Sequence, residues 1–221
     1  MTQLEIKLQE LKDATIETMY LVRGQMSKAK DAFINVDNSL ASEVIHYENR
    51  VNATELSIDK DCEKVLALYH PVAADLRFVI ATLRMNGHLE RIGDHSYGIA
   101  KTVLQMDKPY DEELLERLRF KEMFDTAISM IDDAIHAFNF EDTQLARWIF
   151  GKDSALNEIN KVAWDLLAAE CAKQPENAKM LMLLFSTMRK VERMGDLAKN
   201  VAEETIYFIE SKVLKHNSPN E

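Results

Sequence analysis

The pentapeptide Glu90-Arg91-Ile92-Gly93-Asp94 returns as Glu192-Arg193-Met194-Gly195-Asp196, 102 positions later at both acids (192 − 90 and 196 − 94). A second identity, Ala32-Phe33-x-x-x-Asp37-x-x-Leu40-Ala41 with Ala137-Phe138-x-x-x-Asp142-x-x-Leu145-Ala146, recurs at 105 positions (137 − 32). Matches at a turn and at an acidic motif together are not explained by helical composition. The chain is read as two copies of one unit, the second copy losing three residues, most simply around a proline turn.

Within each copy the apolar residues fall three and four apart, the period of an amphipathic helix. Leu4, Leu8, Leu11, Val22, Met26, Ala29 and Phe33 mark a first long helix, with Thr15 and Thr18 filling its stripe. Asn35 to Ser39 interrupts it, because Asn, Asp and Ser favour turns and caps. A second helix is predicted from about 40 to 69, roughly 45 Å long, ending at His70-Pro71. Pro71 suits the first turn of a third helix reaching about Gln105. Met106 to Tyr110 is the best linker. Asp111-Glu112-Glu113 opens a fourth helix through Phe138, a fifth runs from Asp142 to Ala172, and Gln174-Pro175 precedes a sixth that reaches Lys215. The fold predicted is all-α: two tandem three-helix bundles, six long helices, related by internal duplication. The first bundle spans 1–106, the linker 107–110, the second bundle 111–215 and a polar tail 216–221.

Composition narrows the function. Lys+Arg 27 against Asp+Glu 37 gives a net charge of −10, which argues against nucleic acid as a partner. The two cysteines, Cys62 and Cys171, form no CxxC and suggest neither a zinc site nor a disulfide framework. Neither a signal-like N-terminus nor an apolar run of about 18 residues is present, so a soluble, intracellular protein without membrane insertion is expected.

Glu90 and Asp94 lie on one side of their helix, roughly 6 Å apart at Cβ. On a helical wheel they continue the line of Leu76, Ile80, Leu83 and Gly87, and Ala178, Met182 and Phe185 lead likewise to Glu192 and Asp196. Carboxylates on packing stripes need an explanation. On the preceding helix Glu48, Asn52, Glu55 and Asp59 share a side, and Asp153 and Asn157 answer Glu48 and Asn52 at 105. Two unit charges 6 Å apart repel by about 3 kcal/mol at an effective dielectric of 20. Converging acids therefore require a cation, protons or basic partners, and oxygen donors suit Mg²⁺, Ca²⁺, Mn²⁺ or iron. A single Glu-x-x-x-Asp is ordinarily a solvated face. Duplication and opposed pairs favour the cation site, with Arg84, Arg91, Arg189 and Arg193 as the alternative counter-charges.

Arg77, Arg84, His88, Arg91 and His95 form a basic arc beside these acids. Pairing with acidic neighbours or solvent is its ordinary explanation, and contact with an anionic partner its functional one. Phosphate loops, nucleophile elbows and His-Glu-x-x-His motifs are absent. Glu43-x-x-His46 has only Trp148 and Gly151 at the 105-shifted positions, which does not make a di-iron bundle. No catalytic residue is assigned.

With these residues assembled, the chain resembles the PhoU family, the phosphate-uptake regulators of bacteria and archaea. The two E-R-[I/M]-G-D copies carry the resemblance, and His70-Pro71-Val72-Ala73-Ala74-Asp75-Leu76-Arg77 looks like the family's Q-P-V-A-x-D-L-R, with His for Gln. The resemblance covers essentially the whole chain. It implies a cytoplasmic, often dimeric, negative regulator of phosphate uptake and of the phosphate-starvation response. The implied partners are the ATPase of the phosphate ABC transporter and the phosphate-sensing histidine kinase, with Arg77, Arg84 and Arg91 one candidate docking face. It also implies metal ions at Glu90, Asp94, Glu192 and Asp196, facing Glu48, Asn52, Asp153 and Asn157, with iron, zinc, manganese or magnesium as candidates. Where the family pattern has a second acid, this chain has Asn52 and Asn157; Gly98 stands where Asn200 follows the second motif. A carboxylate-bundle metal-dependent enzyme and a plain helical adaptor are the alternatives.

Overall fold

The turn between the first two helices is built by a side chain, and it is built twice. Val36 takes a left-handed conformation (φ 52°) and Asp37 then caps the next helix, its carboxylate accepting from the backbone N–H groups of Ser39 and Leu40. In the second copy Glu141 (φ 57°) and Asp142 do the same, with Gln144 and Leu145 donating. The Asp37 and Asp142 backbone N–H groups each reach back 2.9 Å to Ala32 and Ala137. The computed structural model describes residues 2–214. They form α1 (Gln3–Asn35), α2 (Asn38–Tyr69), α3 (Ala73–Val103), α4 (Glu112–Arg117), α5 (Phe120–Phe140), α6 (Thr143–Lys173) and α7 (Ala178–Glu210), with one 3₁₀ turn at Pro175–Asn177. Among the described residues there is no β-strand. Helices α1–α3 and α5–α7 are two three-helix bundles in the same order, as the repeats predict.

Each capping aspartate satisfies helix N–H groups that have no partner inside the helix. Asp37→Ala and Asp142→Ala are each expected to lower stability by about 1 kcal/mol, with near-additive effects in the double variant. Urea unfolding checks this; a cost at only one of the two would break the equivalence of the turns.

The second turn differs between the copies. Counting on from α2, Tyr69 corresponds to Gln174 (69 + 105); counting back from α7, Ala73 corresponds to Pro175 (73 + 102). His70, Pro71 and Val72 therefore have no counterparts, which accounts for the three-residue loss. His70 leaves the helix in a left-handed conformation (φ 48°), and α3 begins at Ala73 rather than at Pro71.

Two other boundaries depart from the sequence reading. The expected fourth helix is broken: α4 ends at Arg117, Arg119 turns left-handed (φ 53°), and α5 starts afresh at Phe120. The break lets Leu118 and Phe120 both enter the core, Phe120 stacking on Phe33 at 5.0 Å. The last helix ends at Glu210; the expected tail, 216–221, lies outside the described residues.

The halves share one core. Helix α3 packs along α7 and α1 along α5, and Phe78, Phe138 and Phe208 meet with ring centroids 5.5 to 6.1 Å apart. Arg23 reaches from α1 to Asp132 on α5 at 3.0 and 3.2 Å. In the connection after α3, Tyr110 stacks on Phe33 at 5.4 Å and donates to the Met180 carbonyl at 2.8 Å. Among the described residues no helix is long and apolar enough to cross a membrane.

Candidate functional site

The glycine of each repeated motif sits where two helices nearly touch. A Cβ added at Gly195 would fall 2.2 Å from Leu156 Cδ1; one at Gly93 would fall 3.1 Å from Val51 Cγ1 and 3.2 Å from Gln25 Oε1. Val51 and Leu156 are themselves 105 apart, so the same approach of the second helix of each bundle to its third is made twice. That approach lays Glu48 and Asn52 of α2 against Glu90 and Asp94 of α3. It does the same for Asp153 and Asn157 of α6 with Glu192 and Asp196 of α7.

Of the four motif acids only Glu192 is buried with the packing stripe, as expected; Glu90, Asp94 and Asp196 are not. The core face of α3 is Val79, Thr82, Met85, Asn86, Leu89, Ile92, Gly93 and Ser96. Leu76, Ile80, Leu83, Gly87 and Glu90 are half-buried and Asp94 is exposed. In the second line Met182 is 70% exposed. Within the two sites the most enclosed carboxylates are on the facing helices, Glu48 at 7% exposure and Asp153 at 5%, with Glu192 next at 8%.

In the first half, neither Glu48 oxygen has a hydrogen-bond partner, nor has Asn52 Oδ1, nor either polar atom of the Gln25 amide, which enters from α1. Burial pushes the Glu48 pKa up to about 7, with the adjacent carboxylates of Asp94 and Glu90 adding to it. Two carboxylates can hydrogen-bond only through a shared proton, so Asp94 favours the acid form of Glu48, whereas the Asn52 side chain favours its anion. Glu90 is also raised, by burial and then by Asp94 and Glu55, with Arg91 pulling the other way. Glu55 and Asp59 lie further along, where the Asn86 amide donates to the Glu55 carbonyl at 2.9 Å and to Asp59 at 2.8 Å.

The second half is furnished differently. Lys199 Nζ lies 2.6 Å from Asp153 Oδ2 and 3.6 Å from Asp196 Oδ1. Arg189 approaches Glu192 at 3.7 Å, and Arg193 lies 3.8 Å from Asp196 and 4.0 Å from Glu192. Asn157 donates to Asp153 at 3.4 Å. Burial raises Glu192, and the two arginines partly offset it.

Gln25 and Lys199 were not identified from the sequence. Gln25 had a signal, since it falls on the α1 stripe between Val22 and Ala29. Lys199, three residues after Asp196, reads as an ordinary surface pair.

The basic arc faces the other bundle in part. Arg84 Nη1 pairs with Glu204 of α7 at 3.2 Å and its guanidinium lies 5.3 Å from the Tyr207 ring centroid. Arg77 Nε donates to the Phe208 carbonyl at 3.4 Å. Arg91 is exposed.

Among the described residues no three His, Cys, Asp or Glu side chains are arranged to hold a metal ion by themselves. The donor set of the first half is mixed: carboxylates of Glu48, Glu90 and Asp94 with amide oxygens of Asn52 and Gln25. Buried oxygens without donors fit a hard cation. The second half, with an ammonium already against its buried acid, fits one poorly.

The PhoU domain matches this chain twice, over residues 16–103 and 120–205, one match on each bundle. A phosphate-specific transport system accessory protein PhoU homolog of Aquifex aeolicus is 31% identical over 211 residues, 95% of this chain and 94% of that protein. The PhoU accessory protein of Escherichia coli is 28% identical over 215 residues, 97% of this chain and 88% of that protein. Among solved structures, PhoU from Pseudomonas aeruginosa aligns with a TM-score of 0.87 at 27% identity, covering 95% of this chain and 100% of that one. Two matched domains, relatives aligned over nearly their full length and the same fold in a crystal structure lead to one conclusion: the chain belongs to the PhoU family.

Proposed function

We propose that this protein regulates phosphate transport as an accessory of the transport system, by docking and without turning over a substrate. The observation that carries the reading is the full-length correspondence, domain by domain, to proteins named for that role. In the finer reading it is a cytoplasmic homodimer that binds the ATPase of the phosphate ABC transporter and the phosphate-sensing histidine kinase, and it represses uptake and the starvation response. The long helices and short connections leave helix faces as the docking surfaces, and exposed Arg91 is the member of the basic arc best placed to steer toward an acidic patch.

The first acidic site is proposed to hold a divalent cation through Glu48, Asn52, Glu90 and Asp94, with Gln25 beneath. A bound cation would supply the positive charge that this half lacks and tie α2 to α3. In the second half Asp153, Asn157, Glu192 and Asp196 occupy the corresponding positions.

The test is a strain lacking the gene, carrying a reporter for a phosphate-starvation promoter and grown in replete phosphate. Derepression that the wild-type gene reverses is the expected result, with the ATPase and the kinase co-purifying with the tagged protein. A reporter that stays silent in the deletion would overturn the repressor reading; repression without either partner bound would overturn docking.

A further inference from the structure

The two acidic sites are related position by position, yet their charge balance is opposite. Among the described residues no ion pair reaches Glu48, Glu90 or Asp94, whereas Asp153, Glu192 and Asp196 are met by Lys199, Arg189 and Arg193. The counterparts of those bases at the 102 offset are Tyr97 (199 − 102), Gly87 (189 − 102) and Arg91 (193 − 102), so the first half keeps one of the three. Arg189 and Arg193 lie at the rim, their side chains 41% and 57% exposed. Lys199 is the enclosed one, its side chain 26% exposed against an Asp153 side chain at 7%. It bridges α6 and α7 at the place where an ion would bridge the carboxylates.

We propose that the Lys199 ammonium is the built-in cation of the second site, closing it to divalent ions, so that the chain has one exchangeable cation site, in the first half. The inference rests on the reading of the first acidic site as a cation site, and it concerns this chain's own residues at 97 and 199. An ammonium within 4 Å of two of the three acids repels an incoming dication and takes the oxygens it would use. In the first half the same position is Tyr97, neutral, with Lys101 Nζ lying over its ring at 5.2 Å rather than entering the site. The pair Lys199–Asp153 maps onto residues 97 and 48, which is why Glu48 is the buried acid left without a cation.

The experiment counts Mn²⁺ bound per full-length chain, stripped with chelator and dialysed, by the loss of the free-ion electron paramagnetic resonance signal. Wild type should bind one, Lys199→Met two and Tyr97→Lys none, with Tyr97→Phe binding one as the control. Lys199→Met should melt lower than wild type without Mn²⁺ and recover when it is added, because the ion replaces the lost ammonium at Asp153. Two ions on the wild type, or no extra ion on Lys199→Met, would overturn the proposal. If wild type binds none and Lys199→Met binds one, the role of Lys199 stands and the first-half cation site falls. If both bind one, the reverse holds. Should Lys199→Met lose its helical circular dichroism, Tyr97→Lys decides: retained Mn²⁺ there means that an ammonium at this position does not exclude the ion.

Discussion

Glu48→Gln is expected to make the cation-free protein about 2–3 kcal/mol more stable than wild type at pH 8, with the gap closing below pH 4.5. The Glu48 carboxyl has a pKa of about 7 in the folded chain against 4.5 for an ordinary glutamate, chiefly because it is buried and next because Asp94 and Glu90 face it. A folded pKa above the unfolded one means that the folded state holds the proton more tightly. The stability this contributes is fully present below pH 4.5 and is lost as pH rises through 7. The whole shift corresponds to about 3 kcal/mol as an upper bound, reduced by water and neighbouring side chains at the open edge near exposed Asp94. Glutamine keeps the shape, never ionises, and its amide can donate to Asp94 as the protonated acid does. Urea unfolding of both proteins in chelator from pH 4.5 to 8 makes the comparison. Parallel stability curves would mean that Glu48 is already ionised and solvated at neutral pH.

Arg84→Glu should cost about 2–3 kcal/mol, whereas Arg91→Glu should stay within about 0.5 kcal/mol of wild type. Glu204, the partner of Arg84, has a side chain only 2% exposed on α7, so reversing the charge sets a carboxylate against a buried carboxylate. The lower part of the usual range for breaking a buried pair applies, because the Arg84 side chain is itself 45% exposed and screened by water. The same substitution removes the guanidinium from the Tyr207 ring and loosens the seam between α3 and α7. Chemical denaturation of the two variants side by side is the measurement. An Arg84→Glu protein as stable as wild type would show that the salt bridge adds nothing to the seam. Loss of partner binding in an Arg84 variant would therefore report on the fold as well as on docking, and Arg91 is the cleaner probe of the face.

The duplicated turns were legible in the sequence because they are local. An aspartate that caps the helix following it needs only the next three residues, so Asp37 and Asp142 announce themselves at any distance from one another. The i, i+4 carboxylates are legible for the same reason, since helical periodicity alone puts Glu90 beside Asp94 and Glu192 beside Asp196. The position of the core stripe was less so. Helix α3 packs against α1, α2 and α7 together, which buries more than one side of it, and a wheel built from apolar residues alone settled on the flank carrying Leu76, Leu83 and Glu90. The break at Arg119 is likewise tertiary: a run containing Leu114, Leu115, Leu118 and Phe120 is sound helix by composition, and it breaks where Leu118 and Phe120 both enter the shared core.

The helical class, the repeat and the two sets of acids can be read from the chain, because each follows from periodicity or from contacts a few residues apart. Of the groups that balance those acids, Arg189 and Arg193 follow from spacing along their own helix, and the others come from packing. Lys199 meets Asp153 across 46 positions, Gln25 arrives from a third helix, and Arg84 finds Glu204 in the other bundle. Partners on different helices are chosen by distance in space, and helix packing sets that distance without leaving a pattern in the sequence.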